Sequence, residues 1–398
     1  MSFLAASAKL GFFTESVIRE MTSLSDEYGA INLAEGMPDF AAPPNLIEAA
    51  VEAIRHGSNQ YANTWGYKGL REAVANKVKD YNGIDADPEK NVTITCGSTE
   101  AIAAAVFGLT NPGDRIVVPD PFYENYVPDA IMANCELTYV PFVGRNLLLD
   151  EEALKIAMAT RPKLLVLNTP NNPTGKVMSI EQLKLIADLC EEEKTIAVTD
   201  EIYEHIIYDG KKHVSLASLG NMHERTVTVS GASKTYSVTG WRVGWAIAEA
   251  KLTNALRKVH DYLTICAPTP LQEALVTALN FSPSYYDRLS EAYDRKRRTM
   301  MKILDEAGLQ YHRPEGAYYI LVNAPDQFKD GEQFTDYLLK TVGLAVLPAS
   351  ALCHDKELGR RKVRLAYCKK DTTLQEVKRR IKKLTEKPKQ RLPAKTRA

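Results

Sequence analysis

The chain has 398 residues, of which 45% are hydrophobic and 25% are charged, and its 50 Lys and Arg balance its 50 Asp and Glu. This length predicts two domains, and this composition is ordinary for a water-soluble globular protein. Because the formal net charge is zero, we expect no global attraction to nucleic acid or to an anionic membrane. The apolar stretch at residues 1–10 is short and lacks a cleavage site, so we expect no signal peptide. No apolar run approaches the length of a membrane span. Six scattered cysteines without a CxxC pair favour reduced thiols and a cytoplasmic location.

Short β-branched runs alternate with helical patterns through the first 280 residues. Strands are predicted at 91–96, 114–118, 163–168, 195–199 and 225–229, and helices at 98–109 and 179–192. Continuous apolar strands separated by helices predict an α/β fold with a mostly parallel sheet covered by helices on both faces. Ligands of such sheets bind beyond the carboxyl ends of the strands. We therefore expect the functional residues to lie at those ends.

The pattern changes after about residue 283. A long charged helix at 285–307, a strand pair at 316–322 and 363–366, and a last helix at 373–384 predict a smaller α+β domain. We expect residues 46–282 to form the large domain and residues 283–398 the small one. The basic tail from about residue 386 is expected to be disordered and solvated, in preference to an RNA-binding arm.

Gly97-Ser98-Thr99 joins the first of these strands to the helix that follows it. The free N–H groups and the dipole of a helix N-terminus favour an anion, so this segment is a candidate phosphate cradle. The alternative is that Ser98 only caps the helix.

Lys234 follows the strand at 225–229 through a turn of small residues, and Arg242 comes eight residues later. An amine that attacks a carbonyl, beside a cation that holds a phosphate, describes an enzyme that uses pyridoxal 5′-phosphate. The aldehyde of this cofactor forms a Schiff base with a lysine, and its ring acts as an electron sink. The alternative is one surface lysine and one solvated arginine.

Three polar residues after other strands are candidates for contacts with the ring of that cofactor. Asp200 ends the strand at 195–199 and can keep the ring nitrogen protonated, although a helix N-cap is an alternative role. Tyr203 and Asn172 can reach the phenolic oxygen of the ring. Their alternatives are packing for Tyr203 and turn formation for Asn172, which lies in an Asn-Asn-Pro-Thr-Gly run.

An aromatic residue after the strand at 114–118 can stack on the ring. Tyr123 is the first candidate, and Phe122 and Tyr126 compete with it. Packing in the core is an alternative for all three.

These runs together resemble the class I/II aminotransferases, which have the aspartate aminotransferase-like fold. The stretch 231–244 resembles their cofactor-attachment signature, and 171–175, 200–203 and 363–367 resemble other motifs of the family. The resemblance covers nearly the whole chain from about residue 12. It implies an enzyme that moves the amino group of an L-amino acid to a 2-oxo acid, with Lys234, Asp200 and Tyr203 as catalytic residues. It also implies that residues 1–45 pack with the small domain.

The resemblance implies further contacts with substrate and cofactor. Arg364, in Val-Arg-Leu-Ala-Tyr, binds the α-carboxylate together with Asn172, close to Tyr123. Gly36 lets a backbone amide approach that carboxylate. Tyr61 reaches the phosphate of the neighbouring subunit, which implies a homodimer with shared active sites.

The family often has a hydroxyl three residues before the lysine, where this chain has Gly231. Ser230 and Ser233 are the candidates to replace that hydroxyl at the phosphate.

Two other classes of function remain open at this point. A β-C–S lyase or a cyclopropane-forming synthase would share the roles of Lys234, Asp200 and Arg364. A ligand-sensing domain of a transcriptional regulator is less favoured, because the N-terminal segment is too short for a DNA-binding module. The histidines lack metal-ligand spacing, so no metal is expected. The sequence does not reveal the side chain of the substrate.

Overall fold

The computed structural model describes residues 6–57, 59–144 and 146–384. Its strands, in chain order, are β1 (Ile31–Asn32), β2 (Val92–Thr95), β3 (Arg115–Asp120), β4 (Glu136–Val143), β5 (Leu148–Leu149), β6 (Leu164–Asn168), β7 (Ile196–Asp200), β8 (Thr226–Gly231), β9 (Gly244–Ile247), β10 (Tyr311–His312), β11 (Tyr319–Asn323), β12 (Leu344–Ala345), β13 (Leu347–Pro348) and β14 (Lys362–Ala366). Its α-helices are α1 (Val17–Glu27), α2 (Pro44–Arg55), α3 (Lys68–Lys77), α4 (Gly97–Leu109), α5 (Tyr126–Met132), α6 (Glu151–Met158), α7 (Ile180–Glu192), α8 (Ala232–Thr235), α9 (Ala250–Leu263), α10 (Thr269–Leu279), α11 (Pro283–Glu306), α12 (Gly331–Tyr337), α13 (Lys356–Gly359) and α14 (Asp371–Ile381).

The large sheet has eight strands in the order β2-β9-β8-β7-β6-β3-β4-β5. Strands β8, β7, β6, β3 and β4 are parallel, whereas β9 is antiparallel to both of its neighbours. The expected mostly parallel sheet is therefore confirmed. The sequence prediction omitted β4, β5 and β9. Pro141 lies within β4, β5 has only two residues and β9 begins at a glycine, Gly244, so none of the three gives a strong strand pattern.

Alternate residues of the central strands face two different hydrophobic cores. In β3, Ile116 and Val118 pack in the core that contains Ile102 of α4, whereas Val117 packs in the core that contains Ile186 of α7. This alternation follows from the two-residue period of a strand. It confirms the prediction that helices cover both faces of the sheet.

The second sheet is antiparallel, in the order β10-β11-β14-β13. The predicted pairing of two late strands is confirmed, with Tyr319 opposite Ala366. Strand β11 begins at Tyr319 rather than at Gly316, because the N–H groups of Gly316 and Ala317 donate to the carbonyls of Gly175 and Ile206, outside the second sheet.

Residues near the N-terminus contact the C-terminal part of the chain, because β1 pairs in parallel with β12. This pairing supports the proposal that residues 1–45 pack with the small domain; the boundaries at 46–282 and 283–398 stay a prediction. The tail from residue 386 lies outside the described residues. Among the helices described here, none has the length and apolar character needed to cross a membrane.

The carboxyl ends of β3, β6, β7 and β8 meet at one edge of the large sheet, since these strands are parallel. They end at Asp120, Asn168, Asp200 and Gly231. This edge is where the sequence predicted the functional residues.

Candidate active site

A cavity of about 430 Å³ lies at this edge of the sheet. We call it the inner cavity. Most residues predicted from the sequence line it: Gly36, Ser98, Thr99, Tyr123, Asn172, Asp200, Tyr203, Ser233, Lys234 and Arg242. The structure therefore brings together residues that lie as far apart in the chain as Gly36 and Arg242.

The side chain of Lys234 points its amine into this cavity. Its Nζ donates to the carbonyl of Gly36 at 3.3 Å and lies 6.0 Å from the ring centre of Tyr203. Burial lowers the pKa of Lys234 to about 8, and the charge of Arg242 contributes in the same direction. A larger fraction of this amine is consequently neutral and nucleophilic at neutral pH than for a surface lysine.

The backbone at Gly231 passes too close to β9 for a side chain. A Cβ on Gly231 would lie 2.9 Å from the Cα of Gly244 and 3.0 Å from the carbonyl oxygen of Val243. This packing explains why the chain has glycine where the resembling family often has a hydroxyl. Of the two candidate replacements, Ser233 lines the inner cavity, whereas the hydroxyl of Ser230 donates to Glu204 at 2.7 Å.

Arg242 lies against the N-terminus of α4. A Cβ on Gly97 would come within 2.5 Å of its Nη2, and a Cβ on Gly244 would come within 2.6 Å of the backbone nitrogen of Ser98. Both glycines are therefore needed for this close packing. Ser98 does not cap α4 and instead lies in its first turn. A guanidinium beside free N–H groups of a helix start forms a site with the charge and geometry for a phosphate.

Asp200 is buried at the end of β7. Its Oδ2 accepts from the hydroxyl of Tyr126 at 2.8 Å, and its Oδ1 accepts from the N–H of Ile202 at 3.2 Å. Burial raises the pKa of Asp200 to about 6, against the opposing effects of these two hydrogen bonds and of Lys234. Sequence reasoning considered Tyr126 only as a stacking residue and missed this role. The requirement that a buried carboxylate finds donors was the available signal.

Arg364 is fully buried in β14, between β11 and β13. Its Nη1 donates to Asn172 Oδ1 at 2.8 Å, its Nη2 donates to the carbonyl of Ala34, and its guanidinium lies 4.3 Å from the ring centre of Tyr319. Within the described part of the chain, its Nε has no hydrogen-bond partner. Arg364 thus contacts two residues of the cavity wall, Asn172 and Tyr319, and its complete burial shows that it is not a solvated surface arginine.

The aromatic residues predicted to contact the cofactor differ in whether they line the inner cavity. Tyr123 lines the inner cavity, whereas Phe122 packs against Tyr139 outside it. The hydroxyl of Tyr203 shares a 3.0 Å hydrogen bond with that of Tyr319. Tyr61 lies outside the inner cavity of its own chain and is 79% exposed.

Several other residues of the cavity wall were missed. Asn168 ends β6, and its side chain bonds to the carbonyl of Asp200 and to the N–H of Asn172. The strand-end rule that identified Asp200 would have identified it too. Arg19 and Glu35 come from the N-terminal segment, and no local sequence signal predicts that this segment reaches the cavity.

One buried cluster combines Glu201, Glu204 and His213 in an arrangement that could hold a metal ion. The amine of Lys77 lies 2.6 Å from Glu204 and already supplies a positive charge there. The absence of a metal stays a prediction.

Comparison with known proteins gives consistent matches along the chain. The family model described as "Aminotransferase class I and II" matches residues 28–381. A Mycobacterium tuberculosis protein named "Probable N-succinyldiaminopimelate aminotransferase DapC" is 36% identical, over 96% of this chain and 99% of that protein. The methionine aminotransferase of Escherichia coli is 32% identical, over 96% and 99%.

Solved structures agree with these matches. The structure of N-succinyldiaminopimelate aminotransferase from Mycobacterium tuberculosis superposes with a TM-score of 0.93 at 37% identity, covering 96% of this chain and all of that one. The structure of Thermus thermophilus aspartate aminotransferase with maleate gives a TM-score of 0.89 at 30% identity, over 96% and 99%.

Proposed function

The chain belongs to the class I and II aminotransferases, and we propose that it works with pyridoxal 5′-phosphate attached to Lys234 in the inner cavity. The chain is an enzyme that moves the amino group of an amino acid to a 2-oxo acid. The observation that carries the assignment of residues is the inner cavity itself. It places an amine, an anion site and a buried carboxylate together.

The residues of the cavity fit this cofactor. Arg242 and the N-terminus of α4 provide an anion site whose tight packing depends on Gly97 and Gly244. Asp200 has hydrogen-bond capacity left on both oxygens for a cationic ring nitrogen. When bound, pyridoxal 5′-phosphate supplies a carbonyl that exchanges amino groups and a ring that accepts the electron pair left by the α-proton.

The protein residues then bind, orient and move a proton. Lys234 Nζ removes the α-proton of the amino acid, a role that suits an amine whose pKa is about 8. Arg364 and Asn172 hold the α-carboxylate, with the amide already oriented by the 2.8 Å bond to the guanidinium. The burial of Asp200 excludes water from the carboxylate and strengthens its field on a facing cation.

Peptide mapping tests the attachment site. Borohydride reduction of the holoenzyme, followed by digestion, should leave the cofactor on the peptide that contains Lys234. Lys234→Arg should abolish both the label and turnover. Lys184→Arg, an exposed lysine on α7, is the matched control and should change neither. A label on another lysine would contradict the assignment.

The two half-reactions, measured separately, distinguish a transaminase from a lyase. An amino acid alone should convert the bound cofactor once and then stop, and a 2-oxo acid should restore it. Continuous release of ammonia without an acceptor would instead favour a lyase. The names of the relatives give different amino acids, such as methionine and kynurenine. The amino acid that this chain prefers therefore has to be inferred from the residues of its own cavity.

We further propose a cytoplasmic homodimer with shared sites. Tyr61 is 79% exposed and Tyr262 is 92% exposed, which supports a face that a second copy covers. All six cysteines are free, which supports a reducing compartment.

Subunit mixing tests the shared site. The Lys234→Ala and Tyr61→Phe variants are each expected to have low activity on their own. Mixed dimers of the two should regain activity, because one of their two sites contains both wild-type residues. Activity that stays at the sum of the two variants would contradict a shared site.

A further inference from the structure

A second cavity, of about 930 Å³, adjoins the inner cavity. We call it the outer cavity. Its wall is largely apolar and includes Phe12, Val127 and Leu137. Four residues line both cavities, so the two spaces meet there: Ser16, Arg19, Glu124 and Asn125.

The junction is held by the start of α1. Ser16 is the N-cap of this helix, and its hydroxyl accepts from the N–H of Arg19 at 3.3 Å. The same hydroxyl donates to the carboxylate of Glu124. This pair of bonds ties the first turn of α1 to the loop after β3. Arg19 is thereby positioned at the junction, while Glu124 is already occupied by Ser16.

The side chain of Arg19 is the cation at this junction that lacks an assigned role. Within residues 6–57, 59–144 and 146–384, no hydrogen bond or ion pair engages its guanidinium. The two lysines that line the outer cavity have hydrogen-bond partners. Lys9 donates to the carbonyl of Met132, and Lys356 donates to the carbonyls of Ser350 and Cys353. Arg19 is exposed at this junction, and none of its guanidinium N–H groups is committed to a partner in the described part of the chain.

Among the described residues, Glu124 and Glu35 line the same cavity as Arg19 without forming an ion pair with it. Glu124 is bound by Ser16, and Glu35 accepts from the hydroxyl of Thr22 at 2.9 Å. Neither lies within ion-pair distance of the guanidinium in the described structure. A planar guanidinium with free N–H groups is suited to bidentate binding of a carboxylate.

The volume of the inner cavity also bears on the side chain of the substrate. Ligand cavities commonly measure roughly 300–1,000 Å³, and the inner cavity, at about 430 Å³, has to hold both the cofactor and the reacting end of the substrate. A donor side chain that exceeds this space would extend past Arg19, which lines both cavities, towards the outer cavity.

We propose that Arg19 is a specificity residue that binds a distal carboxylate on the side chain of the amino donor, which makes long dicarboxylic amino acids the preferred substrate class. This inference rests on the proposed function, because it takes the α-carbon of the donor to lie at Lys234. It assigns to helix α1 a role that none of the cofactor contacts requires.

The test uses the holoenzyme and a pair of donors matched in length, 2-aminoadipate and norleucine. The first half-reaction is followed by cofactor absorbance, so no acceptor is needed. Arg19→Gln should lower kcat/KM for 2-aminoadipate roughly 10- to 100-fold, the loss expected for hydrogen bonds to a charged group. The value for norleucine should change less than about twofold. Arg295→Gln, an exposed arginine on α11, removes the same charge elsewhere and should change neither.

A binding measurement separates recognition from turnover. Calorimetry should show adipate binding at least about tenfold more weakly to Arg19→Gln than to wild type, and hexanoate binding equally to both. Equal losses for both donors, or no loss for 2-aminoadipate, would overturn the role of Arg19 while leaving transamination intact. If the wild-type enzyme converts no amino donor at all, the proposed function fails and this inference fails with it.

Discussion

The hydrogen bond between Tyr126 and Asp200 offers a graded test of the active site. Tyr126→Phe removes only the hydroxyl that donates to Asp200 Oδ2 at 2.8 Å. This bond stabilises the ionised carboxylate, so its loss should raise the pKa of Asp200 above its present value of about 6. Hydrogen bonds to charged groups contribute about 1.5–3 kcal/mol, and 1.36 kcal/mol corresponds to one pKa unit. The pKa of Asp200 in the cofactor-free variant should therefore be about 7 to 8.

A raised pKa of Asp200 should lower the activity at neutral pH. Asp200 has to be ionised to face a cationic ring nitrogen, so activity is lost as the pH falls through its pKa. At pH 7 the ionised fraction in the cofactor-free enzyme should fall from roughly nine-tenths to between about a half and a tenth. A bound cationic ring lowers both pKa values, but the difference between variant and wild type remains.

The assay is the pH dependence of the first half-reaction, measured by single-turnover absorbance. The acid limb of Tyr126→Phe should lie about 1 to 2 pH units above that of wild type, and the two curves should converge at high pH. Tyr208→Phe is the control, because the buried hydroxyl of Tyr208 donates to the carbonyl of Ala317 instead. An unshifted acid limb, or a loss that is equal at every pH, would refute this reasoning.

Three further results are expected. Gly244→Ala should weaken cofactor binding at least about tenfold, because its Cβ would come within 2.5 Å of the backbone of α4, whereas Gly11→Ala meets no atom within 4 Å and should not; equal cofactor titrations would contradict this. Carbon-13 NMR of the cofactor-free enzyme should show Lys234 titrating near 8, and Arg242→Gln should move this pKa upwards by removing a nearby positive charge; a wild-type midpoint near 10.5 would count against it. Arg364→Lys should lower kcat/KM roughly 10- to 100-fold, since it loses the planar fork, and an unchanged value would place the α-carboxylate elsewhere.

The fold was predictable where single strands carry a complete local signal. The runs that became β2, β6 and β7 are continuously apolar or β-branched, and no bound differs from the predicted one by more than one residue. The helix predicted at 179–192 begins at Ile180 because Ser179 is its cap, in a reciprocal pair with Gln182. Strand β9 was missed because its short run is defined by pairing with β2 and β8 rather than by its own pattern.

The candidate site was predictable to the extent that it follows strand ends. Asp200 is the last residue of β7 and Lys234 lies in the short helix that follows β8, so one topological rule places them together. Arg19 and Tyr126 lie on helices, and only the folded chain reveals which neighbours they have. Long-range contacts such as the one between Ser16 and Glu124 join segments 108 residues apart, and no periodicity in the sequence reports such a contact.

The charges of the inner cavity suit it to a ligand with two opposite charges. Burial raises the pKa of Asp200 and lowers that of Lys234, so in the absence of a ligand each group is shifted towards its neutral form. A cationic ring nitrogen would reverse the shift at Asp200, and a phosphate would offset the repulsion between Arg242 and Lys234. The free energy that holds these groups in a poorly solvated cavity therefore becomes available for binding a ligand whose charges are arranged in this way. A cavity that merely stabilised the fold would gain nothing from burying a carboxylate and an amine without pairing them directly.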